Sequence, residues 1–97
     1  MLGRDKIVRI IQDNMDEIKA YGVKRLGIFG SFSRSNQHHS SDIDVLVEFQ
    51  EGKKVFDNYM ELKFFLEKLF KRKVDLVIKD ALKPRIKQNI LREVMYA

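Results

Sequence analysis

The chain contains no cysteine, a single proline and only two histidines, and each scarcity removes a class of protein. Without cysteine there is neither a disulfide scaffold nor a thiolate metal site. The two histidines, His38 and His39, are adjacent. Neighbouring residues point in different directions on a helix or a strand, and no third histidine exists to complete a site, so the pair reads as loop residues near solvent. No apolar stretch approaches the roughly 20 residues that would span a bilayer. No secretory leader is evident either, and a cytoplasmic protein with no membrane association is expected. Repeats and low-complexity tracts are absent.

What remains is an ordinary globular composition in a short chain. Hydrophobic residues make up 44% of 97, enough for one core, and one domain spanning 1–97 is expected. Acidic residues are in the minority, 14 against 19 Lys and Arg, for a net charge of +5. The basic excess falls after Gly52, and Lys71-Arg72-Lys73 is its one true cluster. Such a surface can attract nucleic acid, nucleoside triphosphates or an acidic protein. It can equally be the solvated face of helices, with the cluster offsetting the negative end of a helix dipole.

The chain is organised around residues 26–49. Leu26-Gly27-Ile28-Phe29 runs into Gly30-Ser31, then a polar connection holds Arg34, and Ser41-Asp42-Ile43-Asp44-Val45-Leu46-Val47-Glu48-Phe49 follows. An apolar strand that stops at Gly-Ser brings its backbone close to a phosphate-sized anion. In the second run Asp42 and Asp44 share one face, while Ile43, Val45, Val47 and Phe49 share the other. Two like charges crowded on a rigid element call for a cation between them, and a divalent metal is the usual one.

Elsewhere the periodicities are clear. Ile7, Val8, Ile11, Met15 and Ile18 predict an amphipathic helix over 5–21 that Gly22 ends, followed by a strand over 23–29. The segment 32–40 has room for a helical turn or two. Val55, Tyr59, Leu62, Leu66 and Leu69 mark a second long helix, its apolar face widened by Phe56, Phe65 and Phe70. A strand over 74–78 turns Val74, Leu76 and Ile78 one way and Asp75 the other. That acid either forms a salt bridge with a nearby lysine or belongs to a site. Pro84 suits a first helical turn, and Ile86, Ile90, Leu91 and Val94 supply a last stripe. The order predicts an α/β (α+β) fold, a small mixed sheet flanked by helices. If its strands are neighbours, Asp42, Asp44 and Asp75 converge on one solvent-facing cleft.

These residues carry a resemblance. Gly30-Ser31, the following Arg34, Ser41-Asp42-Ile43-Asp44 with its apolar continuation, and Asp75 on a later strand resemble the minimal nucleotidyltransferases. These form the MNT-domain group of the DNA polymerase β-like nucleotidyltransferase superfamily, and the likeness covers practically the whole chain. It implies that Gly30, Ser31 and Arg34 hold the terminal phosphates of ATP, with Ser41 beside them. It also implies that Asp42, Asp44 and Asp75 bind two Mg2+ ions, Asp75 serving as base toward the acceptor hydroxyl. The chain departs from the family at Ser33 and Ser35, where Ala and Gly are common around the arginine.

Larger relatives carry extra domains for DNA, RNA or an antibiotic; none is expected here. Within the minimal group the resemblance implies an antitoxin that silences a HEPN-domain ribonuclease toxin by transferring AMP from ATP to a toxin tyrosine, without binding nucleic acid directly. Two alternatives stay open: a transferase subunit acting on a small molecule such as an aminoglycoside, and a non-catalytic module that blocks a toxin by contact. Three carboxylates in one cleft count against the last. A docking surface on the second long helix or the C-terminal helix is expected, with Tyr59, Met95 and Tyr96 as exposed anchors, although Tyr96 can equally fray at the chain end.

Overall fold

The computed structural model describes residues 2–37, 41–54 and 56–97, so His38, His39, Ser40 and Val55 lie outside the described residues. Two short helices, α1 (Arg4–Asp13) and α2 (Met15–Ala20), precede strand β1 (Val23–Phe29). The single-turn helix α3 (Gly30–Ser33) follows, then β2 (Ile43–Phe49), the long helix α4 (Phe56–Phe70) and β3 (Val74–Ile78). A 3-10 turn (Lys79–Ala81), helix α5 (Pro84–Glu93) and the two-residue strand β4 (Met95–Tyr96) complete the fold.

The sheet runs β3-β2-β1-β4 and is mixed: β1 is antiparallel to both β2 and β4, whereas β2 and β3 are parallel. The parallel pair needs a crossover, and α4 supplies it. Strand parity sorts the side chains. Leu26, Ile28, Ile43, Val45, Val47, Val74 and Leu76 meet Ile7, Ile11 and Ile18 from the first helices and Leu62, Leu66 and Phe70 from α4 in one buried core. Asp44 and Leu46 alternate with the core-facing residues and therefore belong to the opposite face.

Four local expectations are corrected. The helix expected over 5–21 is broken at Asn14, whose backbone (φ −113°, ψ 17°) leaves the helical region while its side-chain amide donates to the Ile10 carbonyl at 2.8 Å. An asparagine offers the backbone this local competitor to helix continuation. Asp42 stands one residue before β2 rather than on it. Phe56, counted in the apolar face of α4, is 75% exposed, and α5 buries no residue fully, leaving Ile86 and Leu91 open to solvent.

The expected anchors are also not exposed. Tyr59 is half-buried and its hydroxyl donates to the Leu76 carbonyl at 2.6 Å. Met95 packs on the core, and Tyr96 pairs opposite Gly27 in β4 rather than fraying. Two residues are too few for any periodicity to announce a strand. Gly27 makes it possible: a Cβ there would come within 2.8 Å of a Val94 methyl and 2.9 Å of the Met95 carbonyl oxygen. Beyond it, the Ala97 N–H donates to the Leu26 carbonyl at 2.9 Å.

Candidate active site

The site forms where β1 ends and turns into α3. Gly30 has φ +73°, a left-handed conformation that side chains rarely adopt. A Cβ there would also overlap the Asp44 carboxylate, because Phe29 and Asp44 are partners in the β1–β2 ladder. Glycine is thus required twice over, and the carboxylate lies directly against the turn. Ser31 follows within α3, half-buried, and Arg34 caps that helix with its side chain exposed.

The parallel pairing of β2 with β3 sets Asp75 beside Asp44. Asp44 is half-buried and its carboxyl is pushed up to about 6 from 3.8, first by burial, then by the charges of Asp75 and Asp42, with Glu93 adding to them and Arg34 opposing. Asp42 and Asp75 themselves are exposed. Ser41 is half-buried just before them, and its carbonyl accepts a hydrogen bond from Arg72 at 3.0 Å. The Arg72 guanidinium also lies over the Phe32 ring, 5.4 Å from its centre. It therefore links the segments that lead into Asp42 and Asp75 to the helix that follows Gly30.

Three carboxylates, one of them ionising reluctantly, make the donor set a hard divalent cation takes. Among the described residues no group of three or more His, Cys, Asp or Glu side chains is already gathered around a common point. The register fixes the Asp44–Asp75 pair, and Asp42 reaches it through charge.

One participant has no sequence signal. Glu93, in the last turn of α5, accepts from the Gly30 N–H at 2.9 Å through Oε1 and from Arg34 Nη1 at 2.8 Å through Oε2. Its carbonyl accepts from the Ser33 hydroxyl at 2.8 Å. Ser33 thus has a partner that an alanine would lack. Ser35, the other departure, carries φ +59°. Nothing in the spacing of an amphipathic helix distinguishes Glu93 from a solvated surface acid.

A mixed four-stranded sheet with paired carboxylates facing a glycine turn defines the nucleotidyltransferase class of fold. A solved structure provisionally named a minimal nucleotidyltransferase superposes with a TM-score of 0.84 at 30% identity, covering 97% of this chain and 95% of that one. The family profile of the nucleotidyltransferase domain matches residues 5–97, and the chain belongs to that family. Protein adenylyltransferase MntA of Thermococcus cleftensis is 38% identical over 97 residues, 99% of this chain and 97% of that protein. A crystal structure of a toxin–antitoxin with AMP-PNP matches with a TM-score of 0.69 at 25% identity, over 98% of this chain and 72% of that one. No helix among the described residues is long and apolar enough to cross a membrane.

Proposed function

We propose that this chain is the antitoxin of a HEPN/MNT toxin–antitoxin pair, acting in the cytoplasm and silencing its partner by transferring AMP from ATP to a tyrosine of the HEPN ribonuclease. The observation that carries nucleotidyl transfer is Asp44, its carboxyl raised to about 6 beside Asp75 and Asp42 and packed against the Gly30 turn. The protein acceptor is supported by the relative named a protein adenylyltransferase, and ATP and a toxin partner by the similar toxin–antitoxin structure with AMP-PNP.

In this reading the Gly30 N–H, Ser31 and the Arg34 guanidinium bind the outer phosphates and Ser41 flanks them. Asp42, Asp44 and Asp75 would hold two Mg2+ ions, which when bound polarise the reacting phosphate and neutralise the leaving pyrophosphate. Asp75, the most open of the pair set by strand register, faces the acceptor and takes the tyrosine proton as the phenolic oxygen bonds to the α-phosphorus. The bond from that phosphorus to the bridging oxygen breaks, and pyrophosphate leaves with its electron pair. At pH 7 Asp44 is mostly ionised and available to a cation, but with little reserve.

Incubating the chain with its cognate HEPN protein, ATP and Mg2+ and weighing the HEPN protein by mass spectrometry tests this. The expected result is a mass increase by whole AMP units, located on tyrosine by fragmentation. A ribonuclease that is inhibited yet unmodified would establish blocking by contact instead.

A further inference from the structure

The donors that this reading assigns to the triphosphate are already engaged by a carboxylate. Glu93 bridges the Gly30 N–H and the Arg34 guanidinium with its two oxygens, at 2.9 and 2.8 Å. A backbone amide and a guanidinium held by two oxygens of one anion is the arrangement a phosphate would make with the same groups. The position is otherwise unfavourable for a negative charge. Glu93 ends α5, where the helix dipole disfavours an anion, and it lies within electrostatic reach of Asp44.

Its backbone is fixed on both sides. The Ser33 hydroxyl donates to the Glu93 carbonyl at 2.8 Å, the Val94 N–H donates to Ile90 at 2.9 Å, and β4 begins at Met95. The carboxylate can therefore leave by side-chain rotation alone, without unpairing β4 from β1.

We propose that Glu93 is a resident anion of the phosphate cradle that competes with the nucleotide for Gly30 and Arg34 and so sets the affinity for ATP. The inference rests on the proposed nucleotide site and adds to it a residue that opposes binding. An incoming triphosphate must displace the carboxylate and tolerate its charge nearby, so a ligand with one phosphate exchanges one anion for another and gains little. Several phosphates outbid it.

Glu93→Gln tests this directly, because the amide oxygen can still accept from Gly30 while the charge is gone. Binding of ATP with Mg2+, and separately of inorganic tripolyphosphate, is measured by calorimetry on the full chain. Both are expected to tighten in Glu93→Gln by roughly tenfold at low salt, less at high salt. Unchanged or weaker ATP binding in a folded Glu93→Gln would overturn the inference and make Glu93 a support for Arg34. An independent reading comes from the wild-type protein by NMR: the Glu93 carboxyl carbon and the Gly30 amide should shift together, on one saturation curve, as ATP and Mg2+ are added. A Glu93 resonance that stays fixed while ATP saturates overturns the competition even if the variant does not fold. Absence of ATP binding in both proteins would remove the nucleotide site itself, a distinct result.

Discussion

Asp44 and Asp75 stand opposite one another in the parallel pairing of β2 with β3, so backbone hydrogen bonds rather than a flexible loop fix the separation of two like charges. The consequence is visible at Asp44, whose carboxyl is raised from 3.8 to about 6 by burial and then by Asp75 and Asp42. The folded protein holds this proton more tightly than the unfolded chain does. Without metal, the group's stabilising contribution is complete below pH 3.8 and lost as pH rises through about 6. A divalent cation binds the ionised form, so Mg2+ should raise the melting temperature above about pH 6 and have little effect near pH 4. Melts across this range, with and without Mg2+, check the sign; Asp44→Asn should abolish both the slope and most of the Mg2+ effect.

Asp44→Asn and Asp42→Asn should each abolish AMP transfer while leaving the fold intact. The amide keeps the shape and removes a negative charge from the proposed cation site. At pH 7 without metal, Asp44→Asn should be more stable than the wild type by roughly 1–2 kcal/mol, the full equivalent of the shift being reduced by solvent screening at a half-open position. Turnover with Mg2+ and urea titration read the two effects separately. Wild-type turnover in either variant would remove these carboxylates from the chemistry.

Asp75→Asn should divide binding from transfer. Asp75 is exposed on β3, with β2 and its Asp44 standing between it and the end of β1 that leads into Gly30. ATP with Mg2+ should still bind to within about tenfold, roughly 1.4 kcal/mol, and the HEPN protein should remain unmodified. A folded variant that binds no ATP would place Asp75 with the nucleotide instead of the acceptor.

How much of this was legible in the sequence follows from the range of each signal. Alternation along 42–49 separated the core-facing residues from the carboxylates, and the apolar run ending in Gly30-Ser31 located the turn, because both depend on neighbours a few residues apart. The adjacency of Asp44 and Asp75 could be suspected but not fixed, since it requires the register of two strands separated by α4. Glu93 and β4 were not legible at all. Glu93 reaches Gly30 across 63 residues of chain, and β4 exists because Gly27 lets the last residues approach. The exposure of Phe56 was misjudged for a related reason, since helical spacing marks a stripe but does not say where the sheet beneath it ends.

Ser35 stores strain that glycine would release. Its φ of +59° is left-handed, a conformation that glycine, lacking a Cβ, adopts at no steric cost. Ser35→Gly should stabilise the protein by roughly 0.5–1 kcal/mol, the relief of the left-handed backbone being partly offset by the larger freedom of glycine in the unfolded chain. Chemical denaturation measures it. Destabilisation would mean that the serine side chain contributes more than its backbone costs.

The last expectation concerns the toxin. Phe56 and Phe64 are 75% and 59% exposed on α4; Phe56 borders a cavity of about 290 Å³ shared with Lys54, Tyr59, Ile78 and Ala81, and Phe64 borders a separate one beside Tyr21 and Phe65. A HEPN ribonuclease must hold RNA and so carries positive charge at its cleft, while this chain has its own excess of lysine after Gly52. Two basic surfaces repel, and a stable complex then needs an apolar contact with lysines at the rim. Phe56 and Phe64 are the exposed candidates for the anchoring role, since the fold already engages Tyr59, Met95 and Tyr96. Capture of the cognate HEPN protein should therefore survive high salt, since screening weakens charge contacts and leaves apolar burial intact. Phe56→Ser and Phe64→Ser should each weaken capture, by about 2 kcal/mol for a true anchor, without lowering the melting temperature of the free chain. Loss of capture at high salt, with both serine variants binding normally, would place the contact on the lysines.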